Sequence, residues 1–379
     1  MTGSLQVKHG KYYAVMNVVD REGKRKQKWV STGLDERGNK RNAEKFLRDL
    51  IVKFELQDGC IPADTPLASY LYVWLKSKKG YIEEDTYQSY ETVIRAHLVP
   101  YFTEHRKTLV NTKRKDIQMY VDYKYGECGL SAKTVKSHMV IIKQAFIKAV
   151  RDELIPSSPC DYIVMPKVQK YIPKFYTEKQ ANALLLVAKD HPIYPLIYFT
   201  VNLGLRRSEV LGVKWDAISF EDQTLTIQHT VVDYSGIIAK DRTKNEASRR
   251  VYPLTDDDIT VLRKLKKEEA QNRKFFGNTY IDNDYVFKRA NGDPFKPDYV
   301  SRSFSRILAQ NNLPIIRFHD LRHTCASILI NRGYTLKDAQ EWLGHSDIQT
   351  TANIYAHLSN ERKKNIANVM TESLRFEAV

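Results

Sequence analysis

Four polar side chains near the end of the chain could act together on a phosphate ester. They are two histidines, an arginine and a tyrosine: His319, Arg322, His345 and Tyr355. A guanidinium can grip a phosphate, an imidazole can move a proton, and a phenol can attack as a nucleophile. His319 and Arg322 are three positions apart, so on a helix they share one face. Apolar residues of the same stretch have helical spacing: Leu321, Ala326, Leu329 and Ile330. We therefore expect a helix whose polar pair points toward a cleft.

A second fragment with possible phosphate chemistry spans residues 203–212. Gly204 predicts a turn that opens a helix, with Arg206 in the first helical turn, where exposed backbone amides also favour an anion. Glu209 follows one turn later. It either orients Arg206 or a histidine, or is an ordinary surface charge. The neighbouring Arg207 should point elsewhere, toward solvent or another phosphate.

A third fragment, residues 242–254, lies between the other two and is typical of a β-hairpin tip. It presents Lys244, and Lys240 is the alternative lysine. A lysine on a mobile hairpin can act as a general acid.

The order of these residues resembles the tyrosine recombinases, in particular the integrases of phages and conjugative transposons. The matching elements are Arg206, Lys244, His319-x-x-Arg322, His345 and Tyr355, and flanking words match as well: Gly204-Leu205-Arg206-x-Ser208-Glu209, His319-x-Leu321-Arg322-His323-Thr324 and Leu343-Gly344-His345. The resemblance covers the C-terminal half of the chain. Because all six elements occur in the family's order, the signal is stronger than any one of these words alone.

The resemblance implies a site-specific DNA recombinase that cuts and rejoins DNA through a 3′-phosphotyrosine link and a Holliday junction. Tyr355 is then the nucleophile, and Arg206 and Arg322 clamp the phosphate. His319 resembles the family's general base and His345 its second phosphate donor. Lys244, or else Lys240, would protonate the departing 5′-oxygen. A phenol suits this chemistry because it is both a nucleophile and a good leaving group, with an ordinary pKa near 10. No metal, nucleotide or other cofactor is implied.

The composition agrees with a polyanionic partner. The 379 residues include 60 Lys and Arg against 45 Asp and Glu, a net charge of +15, and the hydrophobic fraction of 42% is enough for packed cores. Such a basic chain suits nucleic acid. No signal peptide and no apolar run of about 20 residues is visible, and the four cysteines lack a C-x-x-C pair. We expect a cytoplasmic protein, nucleoid-associated when bound to DNA, with reduced thiols and no membrane partner.

Three domains are expected, in a chain that is mainly α with small β-sheets. A β-hairpin and a helix are predicted for residues 1–62, which resemble an arm-type DNA-binding domain. A helical core-binding domain is expected at residues 63–165. A mostly helical catalytic domain with a C-terminal tail is expected at residues 174–379. Helical periodicity covers residues 41–56, 67–76, 86–97, 115–124 and 131–150, and strands are expected at 11–18, at 28–33 and, in one catalytic-domain sheet, at 224–229, 231–238 and 249–253. Thr86 and Ser131 are the expected N-caps.

By resemblance, the partners are core-type and arm-type sites on double-stranded DNA and three further copies of the chain in a tetramer. An excisionase and a host DNA-bending protein are the accessory partners that the resemblance implies. A Xer-like dimer resolvase is an alternative, which the N-terminal hairpin domain disfavours. A catalytically silent DNA-binding or bridging protein is another. A metal site using His319 and His323, with Cys325, His345 and His357 near in sequence, is disfavoured because no glutamate follows His319 as in H-E-x-x-H.

Overall fold

The computed structural model describes residues 2–19, 25–57, 64–169, 173–233, 237–240, 250–344, 352 and 367–371. Two compact units make up the chain, residues 1–170 and 171–379. The division into three domains with the boundaries above stays a prediction. Among the described residues, no helix is long and apolar enough to cross a membrane.

The first unit begins with a three-stranded antiparallel sheet and one helix. The elements are β1 (Thr2–Lys8), β2 (Lys11–Val19), β3 (Arg25–Asp35) and α1 (Lys40–Gln57). Strand β2 lies in the middle of the sheet and buries Ala14, Val15 and Met16. Strand β1 was not predicted. It joins β2 through His9 and Gly10, both with positive φ (52° and 71°), as a two-residue hairpin turn requires.

Five α-helices form the rest of this unit around a core that includes Trp74, Phe102, Tyr120 and Phe146. They are α2 (Leu67–Ser77), α3 (Glu84–Val93), α4 (Val99–Glu104), α5 (Arg114–Asp122) and α6 (Ala132–Arg151). A π-helical turn, Ile94–Leu98, joins α3 to α4, and another, Tyr123–Glu127, follows α5.

The predicted helix caps of this unit had different outcomes. Ser131 caps α6 as expected, because its Oγ accepts a hydrogen bond of 3.1 Å from the Thr134 amide. The prediction for Thr86 was wrong, since α3 begins at Glu84, two residues earlier. The acidic Glu84 and Asp85 in its first turn favour that start through the helix dipole.

The second unit is mostly helical. Its helices are α7 (Glu178–Ala188), α8 (Tyr194–Leu203), α9 (Arg207–Leu211), α10 (Asp256–Phe276), α11 (Pro297–Gln310), α12 (Asp320–Asn331) and α13 (Leu336–Leu343), with 3-10 turns at Trp215–Ala217 and Gly277–Thr279. Helix α12 packs against α8 and α13. Nine of its twelve residues are buried, so it forms the centre of the unit.

The described strands of the second unit form two sheets, whereas the sequence predicted one. Strands β4 (Ile218–Ser219), β5 (Thr224–Thr226) and β8 (Val251–Pro253) make the first, and β6 (Thr230–Asp233) pairs with β7 (Ile237–Lys240) in the second. The predicted strand 231–238 is therefore two strands.

Candidate active site

Gly204 sets the position of the first predicted arginine. It ends α8 in the left-handed conformation, with φ +66°. A Cβ atom there would lie 2.3 Å from Leu343 Cδ2 and 3.2 Å from Cys325 Sγ, so the close approach of α12 and α13 also requires glycine. Arg206 follows as the N-cap residue of α9, immediately before the helix and not in its first turn as predicted.

Glu209 lies at the centre of a cluster of three arginines. Its Oε2 accepts a hydrogen bond of 2.8 Å from the backbone N–H of Arg206, and its Oε1 accepts one from the Arg206 guanidinium. The two terminal nitrogens of Arg250 donate to the same carboxylate at 3.3 and 2.9 Å. Arg322 Nη1 lies 4.0 Å from Oε2. The carboxylate is only 2% exposed, so the surface-charge interpretation was wrong.

The ionisation of Glu209 follows from these contacts. Burial alone raises the pKa of a carboxyl group, but the charges and hydrogen bonds of Arg250 and Arg206 outweigh it and lower the pKa of Glu209 to about 2. The group is therefore an anion at neutral pH, and it offsets part of the repulsion among the three guanidinium groups.

Arg322 is buried in the first turn of α12, with 1% of its side chain exposed. It donates hydrogen bonds of 2.6 Å each to the carbonyl oxygens of Gly204 and Leu343. Burial and the charge of Arg206 lower the pKa of Arg322 to about 10, so the side chain stays charged at neutral pH. The expectation that it points into a cleft differs from the structure. Because α12 packs on all sides, its polar face is buried as well as its apolar stripe.

Three consecutive carbonyl groups at the C-terminal end of α13 each accept a hydrogen bond from this region. Tyr252 Oη donates to Trp342 at 2.7 Å, Arg322 to Leu343, and Arg206 Nη2 to Gly344 at 2.8 Å. The last carbonyls of a helix have no partner within the helix and carry partial negative charge, so cations are favoured there. The next residue in the chain is His345.

His319 lies at the mouth of a cavity of about 1180 Å³. The cavity is lined by basic and polar residues that include Lys174, Arg206, Arg207, Ser301, Arg317 and His319. Partial desolvation by the surrounding protein, with the nearby His323 and Arg322, lowers the pKa of His319 to about 4. The imidazole is therefore neutral at physiological pH and able to accept a proton.

Arg207 turns away from the cluster, as predicted for its position. It contacts the first turn of α11 instead, where it donates to Ser301 Oγ at 2.5 Å and to the carbonyl oxygen of Pro297 at 3.4 Å.

The structure brings together four of the residues predicted for the site. Arg206, Glu209 and Arg322 are in one cluster, and His319 shares a cavity with Arg206. Lys244, His345 and Tyr355 lie outside the described residues. The alternative Lys240 is the last residue of β7, where it pairs with Thr230.

The sequence analysis missed Arg250. It lies at the end of the predicted hairpin segment, beside Arg249, and the pair of arginines was the available signal. Its partner Glu209 is 41 residues away, which no local pattern reveals.

The metal alternative finds no support among the described residues, which contain no group of three or more possible ligands. The rings of His319 and His323 meet edge to face at 5.3 Å. Cys325 is buried, with a pKa raised to about 12 by burial, and contacts the carbonyl oxygen of Asn202 at 3.5 Å.

Comparison with known proteins gives the family. Residues 174–362 match the phage integrase family, and residues 67–125 match the N-terminal SAM-like domain of phage integrases. A tyrosine recombinase XerC-like protein of Caldanaerobacter subterraneus subsp. tengcongensis is 30% identical over 281 residues, which cover 69% of this chain and 71% of the relative. The chain belongs to the phage integrase family. It is a tyrosine-type site-specific recombinase.

Other relatives of this integrase-family chain agree with that placement. The ICEBs1 integrase of Bacillus subtilis is 26% identical over 299 residues, which cover 76% of this chain and 78% of the relative. The Tn1549 transposon integrase in complex with transposon right end DNA superposes with a TM-score of 0.66 at 21% identity, over 82% of this chain and 100% of that one. A lambda integrase tetramer bound to a Holliday junction superposes with a TM-score of 0.60 at 18% identity, over 92% of this chain and 94% of that one. These structural likenesses show the fold, which is mainly α with small antiparallel sheets, as predicted.

Proposed function

We propose that this recombinase is the integrase of a mobile genetic element and acts on the DNA sites where that element joins its host. The observation that carries this function is the cluster of Arg206, Arg322 and Glu209 beside the cavity that holds the neutral His319. A buried anion with adjacent arginines provides a pre-oriented cationic site for a phosphodiester. The relatives named as the ICEBs1 integrase and the transposase of transposon Tn916 favour a mobile element.

The proposed reaction is a transesterification that balances without a cofactor. The Tyr355 phenol oxygen forms a bond to phosphorus, the bond to the 5′-oxygen breaks, and a 3′-phosphotyrosine and a free 5′-hydroxyl result. His319 accepts the phenol proton, and Lys244 or Lys240 supplies a proton to the leaving oxygen. His345 would donate to a non-bridging phosphate oxygen.

Arg206 and Arg322 would hold the other charges of the phosphate. The hydrogen bond of Arg206 to the carbonyl of Gly344 would be exchanged for a bond to a phosphate oxygen. That exchange is favourable because a charged oxygen accepts a stronger hydrogen bond than a neutral carbonyl.

The assembly we propose is a tetramer that joins two DNA duplexes and passes through a Holliday junction, in the cytoplasm on nucleoid DNA. The first unit would contribute core-site and arm-site binding. An excisionase and a host DNA-bending protein are possible further partners. The relatives named XerC make a dimer resolvase the second candidate function. The sheet β1–β3 with α1 favours the integrase, because we expect Xer-type enzymes to lack such a domain.

A suicide substrate tests the proposal. We would use duplex DNA carrying the joint of the circularised parent element, nicked so that cleavage traps the covalent complex. Wild-type protein should form an adduct that resists denaturant, also in EDTA, and Tyr355→Phe should bind the same DNA without forming it. An adduct with the Phe variant would show that another residue attacks. Cleavage of a chromosomal dimer-resolution site in preference to the joint would favour the resolvase.

A further inference from the structure

We propose that Arg250 is a positioning residue for DNA cleavage, which acts by holding Glu209 and, through Glu209, Arg206. The inference rests on the proposed function, because it assigns Arg250 a part in that cleavage. Arg250 is not expected to touch the phosphate itself: its guanidinium is turned to Glu209 and Tyr252, and its side chain is 10% exposed.

The contact between Arg250 and Glu209 is bidentate. Nη1 of Arg250 donates to Oε1 at 3.3 Å and Nη2 donates to Oε2 at 2.9 Å, so both carboxylate oxygens are held and the carboxylate plane is fixed. The same two oxygens accept from the backbone and the guanidinium of Arg206. Arg250 therefore sets the orientation of the group that orients Arg206.

Arg250 is in turn held on its other edge. Its Nε donates to Tyr252 Oη at 2.6 Å, and that hydroxyl donates to the carbonyl oxygen of Trp342. A relay of hydrogen bonds thus runs from the end of α13 through Tyr252 and Arg250 to Glu209. Gly344 leaves room for this arrangement, since a Cβ atom there would lie 2.8 Å from Arg250 Nη1.

Arg250 lies in the chain between the segment that contains Lys244 and strand β8. Its backbone carbonyl accepts a hydrogen bond of 2.9 Å from the Ile227 amide, directly before β8. The preceding residues, 241–249, include Lys244, the proposed general acid. Arg250 thus connects β8 to the arginine cluster.

The ionisation of Glu209 depends on the charged groups around it and can be followed through the pH dependence of stability. The charged or titratable groups that face it are Arg206 on α9, Arg322 on α12, and Arg250 and Tyr252 at β8. The pKa of Tyr252 is raised to about 12 by burial, and that of Arg322 is about 10. Glu209 is therefore the group in this cluster whose protonation responds to acid, and its pKa should rise when Arg250 is replaced by a neutral residue.

The experiment compares Arg250→Lys, Arg250→Gln, Glu209→Gln and the double variant Arg250→Gln/Glu209→Gln with wild type. Arg273→Gln is the matched control, since Arg273 makes an ion pair with Glu269 at 3.0 Å on α10, outside the cavity lining. Single-turnover adduct formation on the suicide substrate should slow about tenfold or more in Arg250→Lys, which keeps the charge but loses the bidentate contact. Arg273→Gln should cleave at the wild-type rate. The double variant should be no slower than Glu209→Gln, because coupled residues are not additive.

A second measurement needs no DNA and separates this inference from the proposed function. In wild type, the ionised Glu209 contributes stability that is present above the unfolded pKa of about 4.3 and is lost as pH falls toward its folded pKa. The difference in Tm between wild type and Arg250→Gln should therefore narrow as pH falls from 6 to 3.5. If Arg250→Gln does not fold, the cleavage rate of Arg250→Lys is the deciding measurement.

Three results would overturn the role of Arg250. The first is wild-type cleavage by Arg250→Lys. The second is a double variant whose loss is the product of the two single losses. The third is a Tm difference that stays constant with pH, which would indicate packing alone. Failure of wild-type protein to form any adduct, with the Tm difference narrowing as expected, would contradict the proposed function and leave the Arg250–Glu209 contact intact.

Discussion

The guanidinium of Arg206 donates a hydrogen bond of 2.8 Å to the carbonyl oxygen of Gly344, 138 residues later in the chain. Gly344 ends α13 with φ +66°. The contact joins the residue proposed to hold the DNA phosphate to the point where the chain continues toward His345 and Tyr355. Under the proposed function, binding of a phosphate by Arg206 would compete with this contact.

Replacing Arg322 with lysine should abolish cleavage although the charge is kept. A lysine ammonium cannot reproduce the planar guanidinium that donates to the carbonyls of both Gly204 and Leu343 at 2.6 Å. An unsatisfied buried acceptor also costs about 1–3 kcal/mol of stability. Adduct formation on the suicide substrate and urea denaturation would measure the two effects.

Arg332→Lys serves as the control for Arg322→Lys, because Arg332 makes an exposed ion pair with Glu178 at 2.8 Å. It should change neither cleavage nor stability appreciably. Near wild-type cleavage by Arg322→Lys would mean that Arg322 acts only as a distant charge.

The pH dependence of cleavage should reflect the lowered pKa of His319. Desolvation and the neighbouring His323 and Arg322 bring that pKa to about 4, so the imidazole is still neutral and able to accept the phenol proton at pH 5.5. We expect the single-turnover rate to hold as pH falls from 7 to 5.5 and to drop only as pH approaches 4. An acidic limb near the ordinary histidine value of about 6.5 would contradict this assignment.

Substituting Gly204 with alanine should destabilise the second unit by about 2–5 kcal/mol. The left-handed conformation costs an alanine about 1–2 kcal/mol, and the overlap with Leu343 Cδ2 adds about 1–3 kcal/mol. Movement of Leu343 would also displace the carbonyl that Arg322 binds, so cleavage should fall. Gly333→Ala is the control: φ is +96° at the end of α12, but nothing lies within 4 Å of the new Cβ. Equal stability losses in urea denaturation for the two variants would show that the close packing at Gly204 does not matter.

Removal of residues 1–62 should spare cleavage of short core-site DNA and abolish binding to separate arm sites. The reason is that the predicted arm-site domain contains β1–β3 and α1, with the basic residues Lys26 and Lys28 exposed on β3. Electrophoretic mobility shifts with core and arm duplexes would measure both. A full-length Lys26→Gln/Lys28→Gln variant controls for stability, because α1 also packs against α2. Loss of core-site cleavage in the truncated but folded protein would show that residues 1–62 also take part in binding the core site.

Local patterns in the sequence were enough for many of the helices and for the candidate residues. Helices α2 and α6 lie where the apolar spacing predicts them, because a 3.6-residue period reports directly which face is buried. Ser131 was identified as a cap because capping depends on neighbours three residues away. The order of motif residues from Arg206 to Tyr355 identified the family for the same reason: each motif is a short contiguous word.

Tertiary packing decided what these residues touch. Strand β1 and the division of the catalytic strands into two sheets depend on pairing between segments, which a single strand's alternation does not specify. The burial of Arg322 follows from the packing of α12 at the centre of the unit, where most of its residues are buried, so a polar pair on one helix face did not predict an open cleft. The sequence left Glu209 either as an orienting residue or as a surface charge. Its contact with Arg250, 41 residues away in the chain, excludes a surface charge. Ion pairs and carbonyl contacts of this kind act over a few ångströms in space, and sequence separation carries no information about such distances until the chain is folded.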